Sequence, residues 1–200
     1  MVLEGLDGAG TTTQAELLSE RLKAEGRPHS MTWEPTDGPI GALIRSILSG
    51  RIPALPKTIA LLFAADRGEH LGSTDGILER TGRGELVISD RYLFSSLAYQ
   101  SIQCGMEYVM GLNREFPLPQ CLFFVDTPVE ICQSRLAKRS ARELFDNSSF
   151  QSKVRETYLA VIESFRGSGM KICILDGSRR AGEIGDEIWK VLGSLPIHKV

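Results

Sequence analysis

The sequence lacks the features that mark several classes of protein. Among its 200 residues, no apolar run approaches the roughly 18 residues that would indicate a membrane-spanning helix. The first residues carry neither a basic segment nor a long apolar stretch, which argues against a signal peptide. The net charge is -2, so the basic excess of a nucleic-acid-binding protein is missing as well. We therefore expect small-molecule partners in a locally basic pocket, with no nucleic acid and no membrane as a partner.

The cysteines and histidines are too scattered for a zinc site. Cys104, Cys121, Cys132 and Cys173 include no C-x-x-C pair, and the three histidines lie equally far apart. Structural zinc requires more closely spaced ligands. We interpret the cysteines as reduced side chains used as small hydrophobes, as in a cytoplasmic protein.

Short apolar runs alternate with longer amphipathic segments, which predicts an α/β fold in a single domain over residues 1–200. The predicted strands are 2–4, 28–33, 86–88, 121–125 and 171–175, and the predicted helices are 14–25, 41–48, 58–71, 129–139, 150–165 and 181–192. The last three strands are apolar apart from Lys171, as in a parallel sheet buried on both faces, and carboxylates follow them. The pattern predicts a central parallel sheet flanked by helices, with polar residues at its ligand-binding edge.

A glycine-rich loop lies between the first predicted strand and the first predicted helix. Gly5 and Gly10 have the spacing of the phosphate-binding motif G-x-x-x-x-G-K-[ST], and Thr12 takes the place of the hydroxyl that ligates Mg²⁺. Glycines let backbone N–H groups turn inward, and the helix N-terminus attracts anions. Thr11 stands where the motif has lysine. Thr13 falls where the dinucleotide fingerprint needs a third glycine, so that motif is excluded. By itself the loop also fits a glycine-rich turn without a ligand.

A second polar group follows the predicted strand 86–88. Asp90 is placed to hold Mg²⁺ through water, and the guanidinium of Arg91 is suited to a phosphate. On a helix, Arg91, Ser95 and Tyr99 would share a face through their i, i+4 spacing, with Ser96 beside them. A structural salt bridge between Asp90 and Arg91 is the alternative.

Two further groups have both a functional and a structural interpretation. Phe63 and Arg67 are four residues apart on a predicted helix, so they could stack on a nucleobase and hydrogen-bond to it, or be a core ring beside a surface cation. Arg135, Arg139 and Arg142 precede a polar stretch and suit a short lid over about 136–150, or else a solvated charged face.

Together these segments resemble the thymidylate kinase family, in the family's order and over nearly the whole chain. The resemblance rests on the phosphate loop LEGLDGAGTTTQ (3–14), EPTDGPIG (34–41), LLFAADR (61–67), DRY to SSLAYQ (90–100), RLAKR (135–139), VRETYL (154–159) and LDGSR (175–179). It implies a P-loop kinase fold, the cofactors ATP and Mg²⁺, transfer of a phosphoryl group from ATP to dTMP for dTTP synthesis, and a homodimer.

The resemblance also implies roles for individual residues. Phe63 would stack on thymine, Arg67 and Ser96 would address its polar edge, and Tyr99 would lie against the sugar and disfavour a 2′-hydroxyl. The residues implied to bind dTMP are Asp7, Phe63, Arg67, Arg91, Ser95, Ser96 and Tyr99. Those implied to bind ATP are Gly5, Gly8, Ala9, Gly10, Thr11, Thr12, Thr13, Arg135, Ser178 and Arg179. Asp7, Arg91, Arg139 and Arg142 are the implied catalytic residues, and Thr12 and Asp90 the implied metal ligands.

Two residues depart from the family's pattern. Trp33 stands where the family commonly has arginine, and Thr11 replaces the phosphate-binding lysine. Our hypothesis is that Arg139 or Arg142, with the loop amides, supplies what the lysine would give. The alternatives are a kinase of the same fold for another acceptor, and a nucleotide-binding protein with impaired catalysis.

Overall fold

Five parallel strands form the centre of the fold. A computed structural model describes residues 1–137, 145 and 147–195. The strands are β1 (Val2–Gly5), β2 (His29–Trp33), β3 (Leu86–Asp90), β4 (Cys121–Asp126) and β5 (Lys171–Asp176), in the order β2-β3-β1-β4-β5. Every neighbouring pair is parallel. The predicted α/β fold with a central parallel sheet is confirmed.

Helices cover both faces of this sheet. They are α1 (Thr11–Ala24), α2 (Pro39–Leu48), α3 (Pro56–Gly72), α4 (Ile77–Gly82), α5 (Leu93–Tyr99), α6 (Ser101–Cys104), α7 (Met106–Asn113), α8 (Val129–Leu136), α9 (Ser148–Ser164) and α10 (Ala181–Ser194). Successive strand residues point to opposite faces, and β4 is buried at every position before Asp126. Helices α1 and α10 pack together, as do α5 and α9, which completes the three layers. Across the part of the chain that the structure describes, no helix is both long and apolar enough to cross a membrane.

Several helices differ from the predicted ones. Helix α1 begins at Thr11, three residues earlier than predicted, because Gly10 takes a left-handed conformation (φ 103°) and starts the helix directly after the loop. Helices α4, α6 and α7 were not predicted, since elements of four to eight residues are too short to show a clear period. Helix α8 ends at Leu136, and the last two residues of its predicted span, Lys138 and Arg139, lie outside the described residues.

The strand order brings the two predicted polar groups together. β1 lies between β3 and β4, with Leu3 paired to Asp90 and Gly5 paired to Val125. The loop after β1 therefore emerges beside the carboxyl end of β3. Open parallel sheets bind ligands at such an edge, where neighbouring connections diverge. Of the predicted lid, residues 138–144 and 146 lie outside the described part of the chain.

Candidate active site at the carboxyl edge of the sheet

The loop between β1 and α1 has the form of an anion cradle. Gly8 and Gly10 have φ angles of 83° and 103°, which L side chains rarely adopt. A Cβ atom on Gly8 would lie 2.8 Å from the carbonyl oxygen of Cys132, and one on Gly5 would lie 2.8 Å from the Cβ of Ala9. No side chain caps the N-terminus of α1 through Gly10. The first N–H groups of α1 therefore remain available for phosphate oxygens.

The loop opens into a cavity of about 660 Å³. Residues from the loop, from the end of β3 and from helices α2, α8 and α10 line it. The predicted site residues along this wall are Asp7, Gly8, Ala9, Gly10, Thr11, Thr12, Thr13, Asp90, Arg91, Arg135 and Arg179. The structure thus gathers most of the predicted ATP-side residues around one space.

Thr12 and Asp90 form an oxygen-rich pair in this cavity. The Thr12 hydroxyl donates a hydrogen bond to Asp90 Oδ2 at 2.5 Å. Asp90 Oδ1 is buried and has no hydrogen-bond partner among the described residues. Hydroxyl and carboxylate oxygens are the ligands that a hard divalent cation prefers. The pair therefore fits Mg²⁺, the ion that the sequence predicts here.

Arg91 connects the phosphate loop to the acceptor-side residues. It has a φ of 77° and precedes α5, so the predicted helical i, i+4 spacing from Arg91 is wrong. Its side chain nevertheless meets the expected partners: Nη1 lies 3.5 Å from Ser95 Oγ, and the guanidinium carbon lies 5.7 Å from the centre of the Tyr99 ring. Arg91 Nη2 donates to Asp7 Oδ1 at 2.7 Å, and Nη1 donates to the backbone oxygen of Gly5.

Asp7 is the point where both sides of the site meet. The Tyr99 hydroxyl donates to Asp7 Oδ2 at 3.0 Å and accepts the backbone N–H of Asp7 at 3.2 Å. Burial raises the pKa of Tyr99 well above its usual value, so the hydroxyl stays protonated as a donor. Gln151 Nε2 also approaches Asp7 Oδ2, at 3.3 Å. Gln151 is fully buried, its Oε1 has no partner among the described residues, and sequence reasoning missed it.

A second missed residue, Glu4, underlies these side chains. Glu4 has no exposed surface, and burial raises its pKa to about 7 although Arg91 lies nearby. Its carboxylate accepts the Ser95 hydroxyl at 2.6 Å, the Tyr158 hydroxyl at 2.9 Å and the backbone N–H of Tyr92 at 2.9 Å. One buried carboxyl group thereby connects β1 with α5 and α9 around the site. A polar residue inside an apolar strand, between Leu3 and the loop, was the available signal.

Arg67 and Ser96, which the resemblance assigns to the polar edge of the base, are hydrogen-bonded to each other. Arg67 is fully buried on α3 and donates to Ser96 Oγ at 3.1 Å. It also donates to Glu34 Oε2 at 2.5 Å and to Asn113 Oδ1, two partners that sequence reasoning did not identify. Phe63 lies half-buried on the same helix. The stacking role implied for Phe63 stays a prediction.

The two predicted ATP-side residues that follow β5, Ser178 and Arg179, are both paired with carboxylates. Ser178 Oγ donates to Asp176 at 2.6 Å, while Arg179 lines the cavity but is paired with Glu187 at 2.6 Å. Arg139 and Arg142 lie outside the described residues, so their predicted catalytic roles, and the hypothesis that one of them replaces the lysine, stay predictions.

Trp33 occupies the cavity wall at the end of β2. It is 40% exposed and lies on the same wall as Arg45. Arg45, which sequence reasoning also missed, donates to the backbone oxygen of Pro35 at 2.8 Å. The cavity therefore has a guanidinium from α2 near Trp33, and this guanidinium is paired with Asp37 at 3.3 Å.

A glycine-rich loop joining a central parallel strand to a helix N-terminus, beside a hydroxyl–carboxylate pair, is the arrangement of the P-loop class of α/β fold. The family model described as thymidylate kinase matches residues 3–188. The chain belongs to the thymidylate kinase family.

Individual relatives agree with this assignment. A "Probable thymidylate kinase" of Thermococcus kodakarensis is 42% identical over 175 residues, which cover 82% of this chain and 84% of the relative. A protein of the same printed name from Methanococcus aeolicus is 36% identical over 195 residues, with 96% and 94% covered. A Treponema pallidum relative is 39% identical over 191 residues, with 94% and 91% covered.

Proposed function

We propose that this protein is a thymidylate kinase that transfers the γ-phosphoryl group of ATP to dTMP, giving dTDP. The observation that carries the proposal is the convergence on Asp7. Asp7, a loop residue with the family's phosphate-binding sequence, receives hydrogen bonds from Arg91, Tyr99 and Gln151, which belong to the acceptor side of the proposed site or lie beside it. A donor nucleotide on the loop and an acceptor bound at Arg91 would have their reacting groups beside Asp7.

Catalysis of phosphoryl transfer depends mainly on alignment and on neutralising charge. In this site the loop amides and the N-terminus of α1 bind phosphate oxygens, and Arg91 provides a guanidinium for the acceptor phosphate. In this proposal Arg67 and Ser96, both buried in the structure, address the polar edge of the base, and Phe63 is its stacking surface. Thr12 and Asp90 would hold Mg²⁺, which when bound neutralises charge on the nucleotide phosphates.

The proposal includes a single domain over residues 1–200, a cytoplasmic location and a homodimer. The four cysteines are free, as a reducing compartment requires. Four exposed aliphatic side chains lie close together in sequence between α2 and the first turns of α3, and we propose them as the subunit contact. They are Leu43 (39% exposed), Ile52 (41%), Leu55 (73%) and Leu61 (49%).

The two alternatives make different predictions. A kinase of the same fold for another acceptor would use Phe63, Arg67, Ser96 and Tyr99 for a different nucleotide or deoxynucleoside. A nucleotide-binding protein with impaired catalysis would follow from Thr11 in the lysine position. The printed names of the relatives favour dTMP over both alternatives.

The test measures ADP formation from ATP with dTMP, dUMP, dGMP or thymidine as acceptor. We expect dTMP to give the highest kcat/KM. Ser96→Ala should lower kcat/KM for dTMP, whereas Ser152→Ala, an exposed serine on α9, should leave it unchanged. Turnover of another acceptor in preference to dTMP would reject the base assignment. ATP binding in calorimetry without ADP formation from any acceptor would favour the impaired protein.

A further inference from the structure

The phosphate loop has lost its lysine, and a cation from another element lies against the same loop. Thr11, in the lysine position, is 5% exposed and uncharged. Its Cγ2 lies 3.2 Å from where a Cβ of Gly5 would be, so its methyl group packs beside the start of the loop. The position that normally brings an ammonium group to the phosphates is therefore buried and neutral.

The loop also needs donors for its carbonyl groups. When successive N–H groups of a loop turn toward an anion, some of the C=O groups must point elsewhere and find partners. The oxygen of Ala9 accepts the hydroxyl of buried Thr127 at 3.0 Å. It also accepts Arg135 Nη1 at 3.0 Å, and the oxygen of Gly8 accepts the same nitrogen at 3.1 Å. Arg135 thus holds two consecutive loop carbonyls at once.

Arg135 is well placed to act on phosphates. Its Nη1 lies 3.6 Å from where a Cβ of Gly10 would be, next to the start of α1, and the residue lines the same cavity as Thr11 and Thr12. The two carbonyl groups have no formal charge, so these hydrogen bonds do not neutralise the positive charge of the guanidinium. The loop therefore has a positive charge held at the carbonyls of Gly8 and Ala9, two to three residues before the position that the motif reserves for lysine.

We infer that Arg135 replaces the missing lysine of the phosphate loop. It acts as a positioning residue, because it holds the Gly8 and Ala9 carbonyls so that the loop amides face the cavity. Its charge also attracts the polyphosphate of the nucleotide. The inference rests on the proposed function for the identity of the nucleotide, and it assigns to α8 a task that the motif normally gives to α1.

The test compares the binding of ATP and of inorganic tripolyphosphate, both with Mg²⁺, by calorimetry. Arg135→Ala should weaken the binding of both ligands by a similar factor, on the order of 10- to 100-fold, because a charged group with two hydrogen bonds is lost. Arg135→Lys should lose less affinity for both ligands, since lysine keeps the positive charge. Arg114→Ala is the matched control, because Arg114 is an exposed arginine outside the cavity whose side chain is 74% exposed.

A second variant separates this role from a purely structural one. Thr11→Lys introduced into Arg135→Ala should restore most of the lost tripolyphosphate affinity, because an ammonium group returns to the motif position. In the wild-type background the same change should have a much smaller effect. A structural contribution of Arg135 to the fold would not be rescued by a charge on α1.

Three results would overturn the inference. These are unchanged tripolyphosphate binding in Arg135→Ala, a loss seen with ATP but not with tripolyphosphate, and no rescue by Thr11→Lys. The second would place Arg135 against the nucleoside instead of the phosphates. Both ligands are measured without an acceptor, so absent dTMP turnover in the wild-type protein would reject the proposed function and leave this inference standing.

Discussion

At the scale of single residues, Glu4 is completely buried. Its carboxyl group accepts hydrogen bonds from two hydroxyl groups and from backbone N–H groups. Burial raises its pKa from 4.5 to about 7. Between these values the folded protein binds a proton that the unfolded chain has released, so stability falls as the pH rises through this window.

This difference predicts the pH dependence of a single variant. From about pH 5 to pH 8, the free energy of unfolding of the wild type should fall relative to that of Glu4→Gln, which has no titrating group at this position, by on the order of 1–3 kcal/mol. Urea denaturation at both pH values measures the difference. Glu156→Gln on the exposed face of α9 serves as the control and should follow the wild type. Parallel trends for the wild type and Glu4→Gln would contradict the prediction.

The residues that the sequence predicts and those that it misses differ in a physical way. Arg67 and Ser96 belong to segments that resemble the family, and the structure joins them by a hydrogen bond. Glu34 and Asn113, which complete the surroundings of Arg67, are far from it in the chain and match no pattern of spacing. Gln151 is hidden for the same reason, because its partner Asp7 is 144 residues away. Long-range polar partners appear only when the chain has folded.

At the scale of secondary-structure elements, glycine shows how packing decides the effect of one chemical change. Gly68 lies inside α3, and a Cβ there would meet no atom of the described residues within 4 Å. Gly41 lies inside α2, where a Cβ would come within 1.8 Å of the carbonyl oxygen of Thr36. The second helix can approach the segment after β2 only because residue 41 has no side chain.

Alanine at these two positions should therefore have opposite effects. Gly68→Ala should stabilise the protein by about 0.5–1 kcal/mol, because alanine loses less backbone entropy in a helix. Gly41→Ala should destabilise it by about 1–3 kcal/mol, since the backbone of Thr36 must move. Urea denaturation of the two variants under identical conditions provides the measurement. If both variants were destabilised to a similar extent, the close packing at Gly41 would not be what destabilises Gly41→Ala.

Strands were easier to predict than helices for a physical reason. Strands buried on both faces have no polar alternation, so a continuous apolar run bounded by a polar residue marks them, as at β3 and β4. The short helices α4 and α6 have six and four residues, too few for a helical period. The conformation of Arg91 was also hidden, because nothing in its sequence neighbourhood indicates a positive φ.

At the scale of the whole molecule, the class of fold follows from alternating elements, but the order of the strands does not. Sequence order would allow β1 at an edge, whereas the structure places it between β3 and β4. Because β1 is central, Asp90 lies beside Thr12 and Arg135 contacts the loop. The site is thus a consequence of topology, which local patterns do not specify.

The proposed homodimer gives a prediction at this scale. Aliphatic side chains between Leu43 and Leu61 are 39–73% exposed in a single chain, and burial of the exposed part of each would contribute roughly 0.5–2 kcal/mol to association. We expect the wild type to sediment as a dimer at micromolar concentration and Leu61→Lys to shift it toward monomer, because the contact would have to desolvate an ammonium group. Leu78→Lys on α4 is the matched control, since Leu78 is equally exposed at 52% but lies outside this segment. A monomeric wild type would remove the homodimer from the proposal, whereas equal dissociation by both variants would place the contact elsewhere on the surface.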